Sequence, residues 1–184
     1  MISISWQAIY VLWLREMKGM WRAKSRVVGS LGMPIFFLAF LGLGFGRASI
    51  PGMPAGLQYI EYLTPGIIGM SMLFSSVFAG ISVLWDKEFG FLKEVMVAPV
   101  SRLSIVLGRT VGGSTVALMQ GIMVLFLSTL LGFKIAGVIP VIFSLLFMCL
   151  ISVTFVGLGL VFASVMRDMH GLSLIHISEP TRPY

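Results

Sequence analysis

Asp86-Lys-Glu-Phe-Gly-Phe-Leu-Lys-Glu-Val-Met-Val-Ala-Pro-Val-Ser-Arg-Leu-Ser-Ile-Val-Leu-Gly-Arg109 is the stretch whose reading decides the fold. It carries four of the thirteen Lys and Arg residues and three of the seven acids. A long apolar block without a charged side chain lies on either side, about Leu63 to Trp85 and Thr110 to Gly132. Charge is costly in the hydrocarbon of a bilayer. The stretch therefore belongs in water or at a membrane surface, and the blocks beside it read as spans.

Composition agrees. The 184 residues are 58% hydrophobic and 11% charged, with a mean hydropathy of +1.01. A soluble domain carries roughly 25% charge, so the fold class expected is all-α and polytopic in a membrane. The net charge of +6 is then no sign of nucleic acid. Basic residues beside apolar spans set orientation and meet anionic lipid. The single cysteine, Cys149, lies in an apolar run, has no partner for an internal disulfide and is expected as a small buried residue. Without asparagine there is no N-glycosylation acceptor. The start does not read as a secretory signal, because five basic residues precede the first long apolar block.

Residues 4–22 read as an amphipathic helix lying on the membrane. At about 100° per residue, Trp6, Ile9, Tyr10, Trp13, Met17, Met20 and Trp21 share one face, and Arg15, Lys18 and Arg22 lie opposite. Trp and Tyr favour the headgroup region, which makes Trp6, Trp13 and Trp21 the expected interfacial anchors. A soluble helix packing its apolar stripe is the other reading. The first span is about Val27 to Gly46, kinked at Pro34. Its roughly 20 residues suffice to cross the hydrocarbon. Arg47 to Tyr62, with Pro51 and Pro54, is a loop. The second span, about Leu63 to Trp85, opens at Thr64-Pro65-Gly66, proline being cheap in a first turn. Ser71, Ser75, Ser76 and Ser82 punctuate it. Helix back-bonding or helix–helix bonding accounts for these hydroxyls, with Ser75 also a candidate to line a substrate path. The third span is about Thr110 to Gly132. Its one strongly polar residue, Gln120, either bonds to another helix or lines that path. After a short turn carrying Lys134, the fourth span covers about Val138 to Met166.

Basic residues per segment number five, one, four, one and one along the chain. That alternation puts the N-terminus, the charged stretch and Arg167 in the cytoplasm. From about Ser173 the periodicity breaks, and residues 172–184 resemble a read-through of foreign sequence, so His176, Glu179 and Arg182 carry no functional weight.

No catalytic constellation is evident. Two histidines, one in the tail, make no metal-ligand cluster. There is neither a phosphate loop nor a Ser-centred nucleophile elbow. Within the charged stretch, Phe91 to Ala98 can form about two helical turns that Pro99 ends, with Ser101 and Arg102 starting the next helix. A short helix with apolar and charged faces suits docking into a partner's groove. A surface loop that only anchors the bundle fits the spacing equally well.

Several separated segments resemble ABC-2 type permeases, the membrane subunits of a class of ATP-binding-cassette transporters. They are Tyr62-Leu-Thr-Pro-Gly-Ile-Ile-Gly-Met-Ser71, Asp86-Lys-Glu-Phe-Gly90, Leu92-Lys-Glu-Val95, Ala98-Pro-Val-Ser-Arg102, Gly108-Arg109 and Asp168-Met-His-Gly171. They occur in the family's order over residues 1–171. The resemblance implies two permease subunits working with two separate ATPase subunits. It implies that the loop between the second and third spans carries the helix that meets the ATPase. Glu88, Gly90, Glu94, Pro99 and Arg102 would be the coupling positions. ATP and magnesium would sit on the ATPase, leaving this chain without a cofactor and not an enzyme. Export of a drug, antibiotic, lipid-linked compound or polysaccharide across a prokaryotic inner membrane would be the function. The family pattern has six spans and this chain four, so it reads as a fragment. A scaffold without transport and a membrane-embedded enzyme are the competing classes, the latter disfavoured because only Gln120 and hydroxyls stand inside the spans.

Overall fold

The computed structural model describes residues 4–45, 58–88, 100–135 and 137–165, and within these not the side chains of residues 26, 43, 84, 87 and 88. Those residues form helices α1 (Trp6–Arg22), α2 (Lys24–Gly44), α3 (Tyr59–Glu88), α4 (Arg102–Leu130) and α5 (Val138–Val165). The chain is all-helical over this length. Tyr59–Val83, Arg102–Leu130 and Val138–Val165 are each long and apolar enough to cross a membrane. Val27–Gly42 of α2 meets that criterion only when joined to α1, from which it is bent by 70°.

The packing is that of a protein whose solvent is lipid. The buried side of α4 is made largely of small residues, among them Ser104, Gly108, Gly112, Gly113, Ser114, Ala117, Gly121 and Ser128. The buried side of α5 is Met148, Ser152, Val156, Gly159 and Ala163. Large apolar side chains such as Phe143, Leu146, Phe147, Leu150 and Phe162 point outward. Helices in a bilayer gain nothing by hiding leucine from hydrocarbon, so they associate where small residues let backbones approach. Leu38, Ile67, Ile68, Met72, Val124 and Met148 fill the centre where α2 to α5 meet.

This inversion corrects the expectation for Cys149, which is exposed on α5. α5 is apolar all round, so its hydropathy gives no clue to which side is inside.

Several boundaries shift for local reasons. α3 starts at Tyr59, not near Leu63, because Glu61 reaches back to the Gln58 N–H at 3.1 Å. That is half of a capping box, with the acid at the third helical position. Pro65 therefore lies within the second turn and not the first, and leaves the Glu61 carbonyl without its helical donor. α4 begins where expected, with Ser101 as its N-cap accepting from the Ser104 N–H. It ends in a Schellman motif: Phe133 N–H bonds to Ser128 O, Gly132 N–H to Thr129 O, and Gly132 takes φ +106°.

Candidate functional site

α1 runs alongside the first turns of α4 in the same direction. The backbone N–H of Ser5 donates to Ser104 Oγ at 2.9 Å, and the Trp13 indole to Thr115 Oγ1 at 3.2 Å. Between them Gly108 and Gly112 make the approach possible. A Cβ on Gly108 would lie 3.0 Å from the Leu12 side chain, and one on Gly112 would lie 2.7 Å from Glu16 Cγ. The buried residues of α1 are Ile9, Leu12 and Met17. Its packed side is thus rotated from the expected aromatic stripe toward Leu12 and Glu16.

That rotation delivers charge into the contact. Arg109, with its side chain only 5% exposed, donates from Nη1 to Glu16 Oε1 at 2.6 Å and from Nη2 to Asp86 Oδ2. Arg15 grips the same Asp86 with both terminal nitrogens, at 3.0 and 2.8 Å. Two guanidiniums and two carboxylates from α1, α3 and α4 thus meet beyond the end of the Tyr59–Val83 span. Burial pushes the Asp86 carboxyl up, and the hydrogen bonds and positive charge of Arg15 and Arg109 more than offset it, holding it below the usual carboxylate range. The two positive and two negative charges of the cluster balance. Its chemistry is that of a joint: charge-assisted, partly bidentate bonds with fixed directions.

The joint stands at the feet of the charged stretch. Arg15 holds α3 at Asp86, where the stretch departs. Ser5 holds α4 at Ser104, where it returns, and Ser104 in turn bonds Ser101 Oγ at 2.7 Å. α1 therefore spans both ends of the segment between α3 and α4.

The expected coupling residues fall around this joint. Glu88 is the last residue of α3, two residues beyond Asp86, and Arg102 is the exposed first residue of α4. Gly90, Glu94 and Pro99, with the expected turns at 91–98, lie outside the described residues, as do Asp168–Gly171 and the tail at 172–184. Of the path candidates, Ser75 is half-buried on α3, and Gln120 donates to the Ser30 carbonyl of α2 at 3.3 Å. The hydroxyls of Ser71 and Ser82 bond back to their own helix. Trp6 and Trp21 are exposed, whereas Trp13 turns toward α4. Arg15, Glu16 and Arg109 are the residues that sequence reasoning left out. The lone acid among five bases in the N-terminal segment, and the Ser104-x-x-x-Gly108-x-x-x-Gly112 spacing beside Arg109, were the available signals.

A model of the ABC-2 type transporter family matches residues 7–177. The chain belongs to that family. Among relatives of this ABC-2 permease chain, a putative transport permease ycf38 of Pyropia yezoensis is 28% identical over 127 residues, 68% of this chain and 44% of that protein. Nodulation protein J of Sinorhizobium fredii is 24% identical over 158 residues, 85% of this chain and 56% of that protein. The inner membrane transport permease YadH of Escherichia coli is 28% identical over 131 residues, covering 70% and 50%. The chain spans about half the length of the relatives it matches. No solved structure matches it. The ABC-2 match takes in both α1 and the charged stretch, so the joint lies inside the family domain.

Proposed function

We propose that this chain is the permease of an ATP-binding-cassette exporter, worked by a separate ATPase subunit and paired with a second permease subunit. Glu88, Gly90, Glu94, Pro99 and Arg102 make the ATPase contact on the cytoplasmic side of a prokaryotic inner membrane. The substrate class is a drug, antibiotic, lipid-linked compound or polysaccharide. ATP and magnesium belong to the ATPase, and this chain carries out no chemistry of its own.

One observation supports the reading above others. α1 is tied to α3 at Asp86 and to α4 at Ser104, the two feet of the proposed contact segment. A push on residues 89–99 would reach α3 through Asp86 and α4 through Ser101 and Ser104. Through Arg15 and Glu16 it would also reach α1, which continues into α2 after the single residue Ala23. The motion of one short segment would then be shared by four helices, the coupling an exporter requires.

The experiment is affinity capture of the tagged chain co-expressed with an ATP-binding-cassette ATPase subunit as the proposed partner. The expected result is a stable complex that Glu94→Lys and Pro99→Ala both weaken. An undiminished complex in both variants would overturn the assignment of the contact, and so would surface labelling of Lys93 from outside the cell.

A further inference from the structure

Pro34 lies inside α2. A proline has no N–H, so the carbonyl four residues earlier, Ser30 O, loses its helical donor. The Ser30 hydroxyl does not replace it, being bonded to Val27 O at 2.9 Å. The nitrogen 3.3 Å from Ser30 O is Gln120 Nε2, from α4. In hydrocarbon an unsatisfied carbonyl is expensive, and a neighbouring helix can supply the missing donor.

The two halves of α2 are held differently. Beyond the proline, Leu38 is fully buried in the central cluster. Before it, Val28, Gly29, Ser30, Gly32 and Met33 are exposed. The first half of α2, where Leu31 packs against that cluster, is thus less firmly held than the second, where Leu38 is fully buried and Phe37 joins it, and it is the half that leads from α1.

We propose that Gln120 is the positioning residue for the α2 proline kink: it supplies from α4 the hydrogen bond that Pro34 removes, and so fixes the first half of α2 against the bundle. This rests on the placement of α2 in the bilayer and not on any ATPase contact, so it is tested on the chain alone.

The test is a double-mutant cycle in nanodiscs. The variants are Gln120→Leu, Pro34→Ala and the two together, all in a Cys149→Ser background with spin labels at Val28→Cys and Ile122→Cys. With Pro34 present, Gln120→Leu is expected to broaden the label-to-label distance distribution and lower Tm by about 2–4 °C. With Pro34→Ala, residue 34 can donate to Ser30 O, and Gln120→Leu is expected to leave the distribution narrow and move Tm by less than about 1 °C. The 13C shift of the Ser30 carbonyl is the readout that packing alone would not move. It should report a lost hydrogen bond on Gln120→Leu only when Pro34 is present. Gln120→Met, close to glutamine in length, repeats the cycle if the leucine variant does not fold. Equal effects of Gln120 replacement in both backgrounds would overturn the proposal, as would an unchanged Ser30 carbonyl.

Discussion

Gly80 of α3 and Gly159 of α5 meet backbone to backbone: a Cβ on Gly80 would lie 2.5 Å from Gly159 Cα, and one on Gly159 would lie 2.9 Å from Gly80 Cα. Among the described residues α3 and α5 share the most extensive helix contact, and at this pair their backbones touch. Alanine at either position forces the helices apart, since the obstacle is backbone and not a side-chain tip. Gly80→Ala should destabilise by about 1–3 kcal/mol, the range for overpacked sites. Gly157, with open space around it, should gain about 0.5–1 kcal/mol from the same change through helix propensity. Thermal unfolding in detergent compares the two, and equal behaviour would contradict the close contact.

Arg109 answers to two carboxylates. Arg109→Met leaves Glu16 and Asp86 with Arg15 as the remaining guanidinium of the cluster. Removing one partner from a buried charge group costs about 3–5 kcal/mol. The low end applies here, because Glu16 and Asp86 keep some access to water. Arg102→Met, on an exposed residue one helix start away, should stay within about 0.5 kcal/mol. Melting curves of the two variants give the comparison.

The Asp86 carboxyl sets the acid limit of the joint. Its folded pKa is depressed, so the unfolded chain binds the proton more readily. The stability this confers is present above the unfolded carboxylate pKa, near 3.9, and is lost as pH falls through the folded value. The Asp86 contribution should be flat from about pH 5 to 9 and fall away only below about pH 4. Asp86→Asn should lower stability across the neutral range and flatten that acid limb. Unfolding midpoints measured against pH in both proteins test the sign.

Trp13 is separated from Trp6 and Trp21 by what it touches. Trp6 and Trp21 are 78% and 69% exposed, while the Trp13 indole is bonded to Thr115. In single-tryptophan variants reconstituted in vesicles, lipid-attached quenchers should dim Trp6 and Trp21 strongly and Trp13 weakly. Thr115→Val should raise Trp13 quenching by freeing its ring. Uniform quenching of all three would mean that α1 lies flat on lipid and not along α4.

Much of this was legible without coordinates. The charged stretch between two uncharged blocks located α3 and α4, and Ser101 marked the start of α4 as an N-cap does. The last described helix starts at Val138, as expected, and runs to the last described residue, Val165. Its inner face was not legible: where every residue is apolar, periodicity has no contrast, and Cys149 went to the wrong side. The joint was hidden for a different reason. Asp86 and Arg109 looked like loop flanks and Arg15 like a solvated face, because their partners lie 23, 71 and 93 positions away in the chain. Helical spacing reports which residues share a face and is silent on what that face meets.

The sequence by itself determined that this chain is helical and membrane-bound, and roughly where its long helices run. Those properties follow from hydropathy and charge summed over short windows, and no partner is needed to evaluate them. Only the tertiary structure decided that α1 lies along α4, that Arg109 joins Glu16 to Asp86, and that Gln120 serves the carbonyl Pro34 leaves bare. The first depends on Gly108 and Gly112 allowing two distant helices to touch, and in a bilayer all such contacts are chosen by shape and hydrogen bonding, with hydrophobicity favouring none of them.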